Sequence, residues 1–284
     1  MAKFPEAQEF DMVQKGTELI QLFSQYPDVD SVLALTQPEK VAFVKKYYSK
    51  TKESTQLMEK LREEGENYFT TKSVPQGFPP EQLTALKIIG LLYLTKANLM
   101  PTLVDMCQAH NNKRREQLKG LTYTDNSVPK ILQLSIQSMS AEIHQLLLQE
   151  MKHTANKRGF PVPEVEKFGP GLVAKDFQTY QEVYDVYCSQ RVEELSVTGL
   201  DPNQLKIYLE ESIKLNSKVW QPDTDPNAIF FYPQLVSDEL YTKTGLEKPV
   251  VMHLVLDLLE KQPENDEIVQ LVIREAFVLE GKHN

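Results

Sequence analysis

Helix-start signals recur along the whole chain, and this repetition constrains the fold more than any other feature. In "TQPEK" (36–40), Thr36 is a candidate N-cap and Glu39 follows three residues later, the spacing of a capping box. "LDPNQ" (200–204) repeats the arrangement with Asp201, and apolar residues between such starts recur at steps of three and four. Patterns typical of strands are rare, and no Asn-Gly or Asp-Gly hairpin turn occurs. The sequence therefore predicts an all-α fold.

The apolar periodicity also gives approximate helix positions. We expect helices at residues 6–25, 38–49, 53–69, 80–97, 101–118, 129–155, 174–196, 202–218, 234–244, 249–261 and 264–280. The last helices are short and are joined by few residues, which favours stacked helical hairpins, as in a solenoid or a TPR-like bundle. The sequence pattern of tetratricopeptide repeats is absent, however, and no repeat of fixed period aligns.

A change of charge and composition predicts a division into two domains. Residues 1–163 contain 20 basic and 18 acidic side chains, whereas residues 164–284 contain 11 and 22. The change coincides with "GFPVPEVEKFGPG" (159–171), a stretch rich in proline and glycine. We therefore expect an N-terminal helical domain (1–158), a linker (159–171) and an acidic C-terminal helical domain (172–284).

The composition excludes several classes of protein. Hydrophobic residues make up 41% of the chain and charged residues 25%, which is typical of a folded globular protein. The longest apolar run, "IIGLLYL" (88–94), is far shorter than the ~18 residues that span a bilayer. The N-terminus lacks the layout of a secretory signal, and two cysteines cannot form a disulfide framework. These features predict a cytoplasmic protein. The acidic C-terminal half also disfavours nucleic acid as a partner.

"DMCQAHNNKRREQLKG" (105–120) places Cys107 and His110 one helical turn apart, before a basic cluster. A structural zinc site needs four ligands, and Cys188 has no histidine near it in the sequence. The favoured interpretation is a helix C-terminus, where basic side chains complement the helix dipole. The alternative is a helical enzyme that uses Cys107 or a histidine, with Cys107 and His110 as the candidates, because catalytic Cys and His partners can meet in space.

Signatures of cofactor or metal enzymes are missing. The chain contains no glycine-rich phosphate loop, no nucleophile elbow and no His-Glu-x-x-His motif. We therefore expect no cofactor and no metal, and the sequence favours a binding module over an enzyme.

Two aromatic groups are candidate surfaces for a partner protein. One is a helix face that carries Phe177, Tyr180, Tyr184, Tyr187 and, four residues further, Arg191. The other is a segment bracketed by prolines that carries Trp220, Phe230, Phe231 and Tyr232. Tyrosine, tryptophan and arginine are favoured at interface hot spots. Each group can instead pack inside the protein, the first in a helical core and the second against another domain.

A lysine-rich helix offers a third kind of surface. Its lysines are Lys40, Lys45, Lys46, Lys50 and Lys52. With Tyr47 and Tyr48 among them, such a helix can touch anionic lipid, so a peripheral membrane module is an alternative function. A solvated helix face explains the same residues and is the favoured interpretation.

The end of the chain, "KQPENDEIVQLVIREAFVLEGKHN", carries Glu264, Asp266 and Glu267 ahead of apolar residues. It resembles the acid-rich E-block tail of effectors that type IVB secretion systems of intracellular bacteria export. The resemblance implies delivery into a host cell or action upon another effector, and it implies no chemistry. The same acids suit the N-terminus of an ordinary helix.

Together these features predict a protein–protein interaction module that regulates or inhibits another protein. Because the C-terminal half is acidic, we expect that its partner carries a basic patch. The sequence leaves the oligomeric state open.

Overall fold

The computed structural model describes residues 17–48, 54–72, 74–121, 125–176, 178–198, 201–219 and 228–282. All regular secondary structure in these ranges is helical, so the all-α prediction is confirmed. In chain order the helices are α1 (17–24), α2 (Val29–Leu33), α3 (Gln37–Tyr48), α4 (Ser54–Thr70), α5 (Pro80–Leu118), α6 (Val128–Lys157), α7 (Val162–Ala174), α8 (Gln178–Thr198), α9 (Pro202–Val219), α10 (Ala228–Thr244), α11 (Lys248–Lys261) and α12 (Asp266–Leu279).

The chain forms two compact units, and their boundaries differ from the predicted ones. The inserted unit is continuous and comprises Lys52–Val197. The discontinuous unit combines Met1–Thr51 with Thr198–Asn284, so the two ends of the chain fold together. Counted over these ranges, the discontinuous unit carries 14 basic and 22 acidic residues, and the inserted unit 17 and 18. The negative charge therefore belongs to the discontinuous unit rather than to one half of the sequence.

In the inserted unit, α4 and α5 pack closely because two glycines face each other. A Cβ atom on Gly90 would lie 2.5 Å from the backbone nitrogen of Phe69 and 2.6 Å from the carbonyl oxygen of Gly65. Helices α6 and α7 complete the packing against α5. The predicted break near Pro101 is absent, and α5 runs through it. The buried side chains of Met100 and Leu103 hold the helix on both sides of the proline.

The predicted linker at 159–171 is largely helix α7. Val165 and Val173 are buried, and Gly169 contacts Leu148 of α6 closely enough that a Cβ atom would lie 3.2 Å from its Cδ2. Prolines at the start of a helix suit its first turn, where the missing N–H costs nothing. The proline and glycine content therefore marked a short helix that packs within one unit, and not a boundary.

In the discontinuous unit, α12 lies between α3 and α9. Lys40 and Tyr48 of α3 contact Asp266 and Glu275 of α12, so residue numbers rise in the same direction on both helices. Helices α9 and α12 are also parallel. Lys206 pairs with Glu267 and, further along both helices, Ser212 pairs with Glu275.

Aromatic rings close the end of this unit: Phe23 lies 5.9 Å from Phe43 and 5.1 Å from Phe277 between ring centroids. The closest neighbours of α12 are α9, α3 and α2. A stack of successive hairpins would instead pack each helix against its neighbours in sequence, so the solenoid prediction is not confirmed.

One helix in the described part of the chain is long and apolar enough to cross a bilayer by length and composition. This helix is α5, and half of its most apolar 18-residue window is buried inside the protein. A core helix meets the same criterion.

Candidate interaction surface

A surface depression of about 360 Å³ lies between α9 and α12. We call it the α9–α12 groove, and its lining residues are Glu210, Asp266, Glu267, Gln270, Leu271 and Arg274. All of them are exposed or half-exposed, so the depression is an open groove and not an enclosed pocket. Its volume lies at the lower end of the range for ligand sites, ~300–1,000 Å³.

The local sequence of α12 explains the acidic end of the groove. Asn265 caps the helix, since its side chain accepts a hydrogen bond from the Ile268 N–H at 3.3 Å. Asp266 and Glu267 follow in the first turn, where the helix dipole favours negative charge. Hydrogen bonds from Lys40, at 2.5 Å, and from Gln270 hold the pKa of Asp266 below its ordinary value.

The acids that carry the resemblance to an export tail therefore have structural partners. Asp266 binds Lys40, and Glu267 forms an ion pair with Lys206 of α9. Glu264 is exposed between α11 and α12. Export of the chain by a secretion system stays a prediction from the resemblance.

Two charged side chains in the groove, Glu210 on α9 and Arg274 on α12, form no hydrogen bond or ion pair with the described residues. Glu210 does interact through its charge with Lys206, one turn earlier on α9, and contributes to raising the pKa of that lysine. Leu271 lines the groove one turn before Arg274 on α12, and Ile207, one turn before Glu210 on α9, is 49% exposed. A carboxylate and a guanidinium that form no ion pair therefore lie close to apolar surface, which is the composition of a small protein-binding surface.

Sequence reasoning did not identify these residues. Within α12 the buried positions Ile268, Val269, Val272 and Ile273 leave residues 267, 270, 271 and 274 on the outer face. That face was readable from the periodicity. Arg274 is also the only arginine between residues 198 and 284, which could have drawn attention to it.

The candidate thiol, Cys107 on α5, is half-buried. Burial raises the pKa of the Cys107 thiol to about 11, so the thiol is protonated at neutral pH and is a poor nucleophile. His110 lies one turn further along α5, and its Nε2 atom is 2.9 Å from a carboxylate oxygen of Glu142 on α6. This contact ties two helices together. Within the described residues, no group of three His, Cys, Asp or Glu side chains is placed to hold a metal ion.

The predicted aromatic face of α8 is partly buried in the inserted unit. Tyr187 is buried, so its side chain packs inside this unit. Tyr180, Tyr184 and Arg191 are half-buried, and Arg191 donates to Glu194 at 2.6 Å. Phe177 lies outside the described residues. The core interpretation therefore applies to the centre of this face.

The second aromatic group falls largely outside the described part of the chain. Trp220 lies there entirely. Phe230, Phe231 and Tyr232 belong to the first turns of α10, and their side chains are likewise outside it.

The lysine-rich helix is partly buried, and its role as a membrane surface stays a prediction. Lys40 and Tyr48 are buried and contact Asp266 and Glu275, respectively. Lys45 and Lys46 are exposed, whereas Lys50 and Lys52 lie outside the described residues.

Comparisons with protein-family models, with curated proteins and with solved structures found no match for this chain.

Proposed function

We propose that this protein is a recognition module that binds another protein through the α9–α12 groove and thereby regulates or inhibits it. The observation that carries the proposal is that two exposed charges, Glu210 and Arg274, line one groove with Leu271 and form no hydrogen bond or ion pair with the described residues. Exposed charges are well solvated and do not by themselves indicate a binding site. Next to Ile207 and Leu271, however, the two charges would fix the orientation of a partner while the apolar side chains contribute affinity.

The expected partner presents a basic, amphipathic segment. Three carboxylates line the groove against one guanidinium, and the discontinuous unit has an excess of eight acidic residues. A field of this sign accelerates the approach of a basic surface and repels nucleic acid. Apolar side chains of the partner would cover Leu271 in the groove and Ile207 one turn before Glu210 on α9. We place this interaction in the cytoplasm, in keeping with two free thiols, Cys107 and Cys188.

Capture of partner proteins from bacterial and host-cell lysates at ~0.15 M salt tests the proposal. The variants are E210R, which reverses a charge inside the groove, and I207D, which removes its apolar edge. E260R is the matched control, because Glu260 is an exposed residue of α11 outside the groove. We expect a stoichiometric partner that wild type and E260R retain and that both groove variants lose. Equal capture by all four proteins, or by none, would exclude the groove as the binding surface.

A further inference from the structure

We propose that the same groove joins two copies of this chain, with their α12 helices antiparallel about a two-fold axis. The geometry of this dimer uses only the described residues of the groove. Its regulatory consequence, given below, rests on the function proposed above.

The outer face of α12 carries its charges in a fixed order. Glu267 lies in the first turn, Leu271 follows one turn later, and Arg274 lies near the middle of the helix. Seven residues at 1.5 Å per residue separate the two charges by about 10 Å along the helix axis. One short stripe thus runs from negative through apolar to positive.

Such a stripe is complementary to itself when it is rotated by half a turn. In a two-fold contact, residue i of one copy meets residue j of the other, and the reverse pair forms as well. Antiparallel α12 helices would place Glu267 of each copy opposite Arg274 of the other, with Leu271 of both copies near the axis. Glu210, on the adjacent helix, adds a second carboxylate that the incoming guanidinium can reach.

Few existing interactions would have to break for these intermolecular pairs to form. Glu210 and Arg274 form no hydrogen bond or ion pair with the described residues that would have to break, and Glu210 interacts with Lys206 only through its charge. Glu267 is paired with Lys206, but its side chain is 62% exposed, and exposed pairs of this kind contribute little. Antiparallel helices also bring opposite dipole ends together.

The net charge of −9 per chain opposes association over long distances. At 0.15 M salt the screening length is ~8 Å, so the complementary charges inside the contact outweigh distant ones. The contact is small, and interfaces of that class are weak, so we expect a dissociation constant on the order of 100 µM.

A dimer of this kind covers the residues that the proposed partner would use. Self-association would therefore compete with partner binding and would hold the groove closed at high protein concentration. This competition gives the chain a means of regulation that needs no additional site.

Sedimentation velocity from ~10 to ~500 µM tests the dimer with two charge variants. R274E leaves only carboxylates in the stripe, and E210R/E267R leaves only guanidinium groups. Neither variant should associate with itself, because like charges would meet across the axis. Mixed in equal amounts, they should form a 1:1 complex, because each negative group of one chain then meets a positive group of the other. The expected dissociation constant of the mixture is at or below that of the wild type.

K45E and E260R serve as matched controls, because both reverse an exposed charge outside the groove and should associate as the wild type does. Circular dichroism confirms that each variant is folded. A wild type that stays monomeric, an R274E chain that still dimerises, or a mixture that stays monomeric would each overturn the dimer. Capture of a groove-dependent partner by a strictly monomeric chain would leave the recognition function intact, so the two proposals fail separately.

Discussion

The two units bury charged groups in opposite ways. In the inserted unit the buried group is a cation: Lys96 of α5 is fully buried and forms ion pairs with Asp176, at 3.1 Å, and with Glu182. In the discontinuous unit it is a carboxyl group: Glu275 of α12 is fully buried and accepts hydrogen bonds from hydroxyl groups. One network compensates charge with charge at short range, whereas the other surrounds a carboxyl group with hydroxyl donors and has the ammonium group of Lys248 farther away.

The donors to Glu275 come from distant parts of the chain. Tyr48 of α3 donates at 3.1 Å and Ser212 of α9 at 2.5 Å, while the Lys248 ammonium group lies 3.9 Å away. Burial and the nearby Glu275 raise the pKa of Tyr48 well above its ordinary value, so its hydroxyl stays protonated and can donate. This network joins the N-terminal and C-terminal segments of the discontinuous unit.

The Lys96 network joins segments of a continuous unit. Asp176 precedes α8 and Glu182 lies in its second turn, so both acids fasten the start of α8 to α5. Thr179 donates to Asp176 at 2.6 Å. The comparison indicates that removing the buried cation should harm its network more than removing the Glu275 charge harms the hydroxyl-lined one. Loss of Lys96 deprives two carboxylates of their ammonium partner, whereas loss of Glu182 alone leaves Lys96 paired with Asp176.

The largest effect is expected for Lys96→Met. The variant leaves two buried carboxylates facing apolar surface, and loss of one partner of a buried pair costs about 3–5 kcal/mol. Urea unfolding at neutral pH measures the loss. The triple variant K96M/D176N/E182Q should regain more than half of it, because no charge then remains in the cluster. A loss below about 1 kcal/mol for K96M would show that water or another group compensates the carboxylates.

Glu275→Gln should cost less, about 2 kcal/mol. The amide keeps one acceptor oxygen, but its NH₂ group meets a hydroxyl that now lacks an acceptor. The matched control is E260Q, an exposed substitution for which we expect no measurable change in the free energy of unfolding. If E275Q destabilised the protein as much as K96M, the distinction between the two networks would be lost.

Tyr48→Phe should cost about 1–2 kcal/mol, since it removes one of the two hydroxyl donors and leaves the ring in place. Combining it with E275Q in a double-mutant cycle isolates their interaction. We expect the double variant to lose less than the sum of the single losses. Additive losses would mean that the 3.1 Å contact contributes nothing to stability.

The smallest effect at neutral pH is expected for Glu182→Gln, and its sign depends on pH. Burial raises the pKa of Glu182 above its ordinary value of 4.5, although Lys96 opposes the shift. The folded protein then retains a proton that the unfolded chain releases, so this group's contribution to stability falls as pH rises above about 4.5. The glutamine variant should gain stability relative to wild type between about pH 4 and pH 7, as followed by thermal unfolding. Parallel profiles for the two proteins would contradict this assignment.

Local sequence signals predicted the helix starts well. Glu39 accepts a hydrogen bond from the backbone N–H of Thr36 at 3.0 Å, which is the glutamate half of a capping box, and a second one from the Thr36 hydroxyl at 2.6 Å. Asp201 accepts from the N–H of Asn203 at 2.9 Å, where α9 begins. Both contacts join residues two or three positions apart, and their geometry is therefore encoded in a short stretch of chain.

The candidate site could be predicted only in part. The acidic character of the C-terminal region was readable from composition, but the groove depends on Glu210 and Arg274, which lie 64 positions apart in the sequence. The tyrosine face of α8 had the right residues for an interface, yet Tyr187 is buried. A helical stripe of aromatic side chains has the same spacing in a core and at a surface, so periodicity does not distinguish them.

The sequence by itself determined the class of fold, the approximate positions of most helices and the overall negative charge, because each depends on composition or on neighbours within about one helical turn. Only the tertiary structure decided that the N-terminal and C-terminal segments share one unit and that Lys96 and Glu275 are buried. It also decided which charges in the groove form no ion pair with the described residues. Tyr48 and Glu275, for instance, are 227 positions apart. Contacts of that separation arise from packing many apolar faces at once, and no local pattern specifies them.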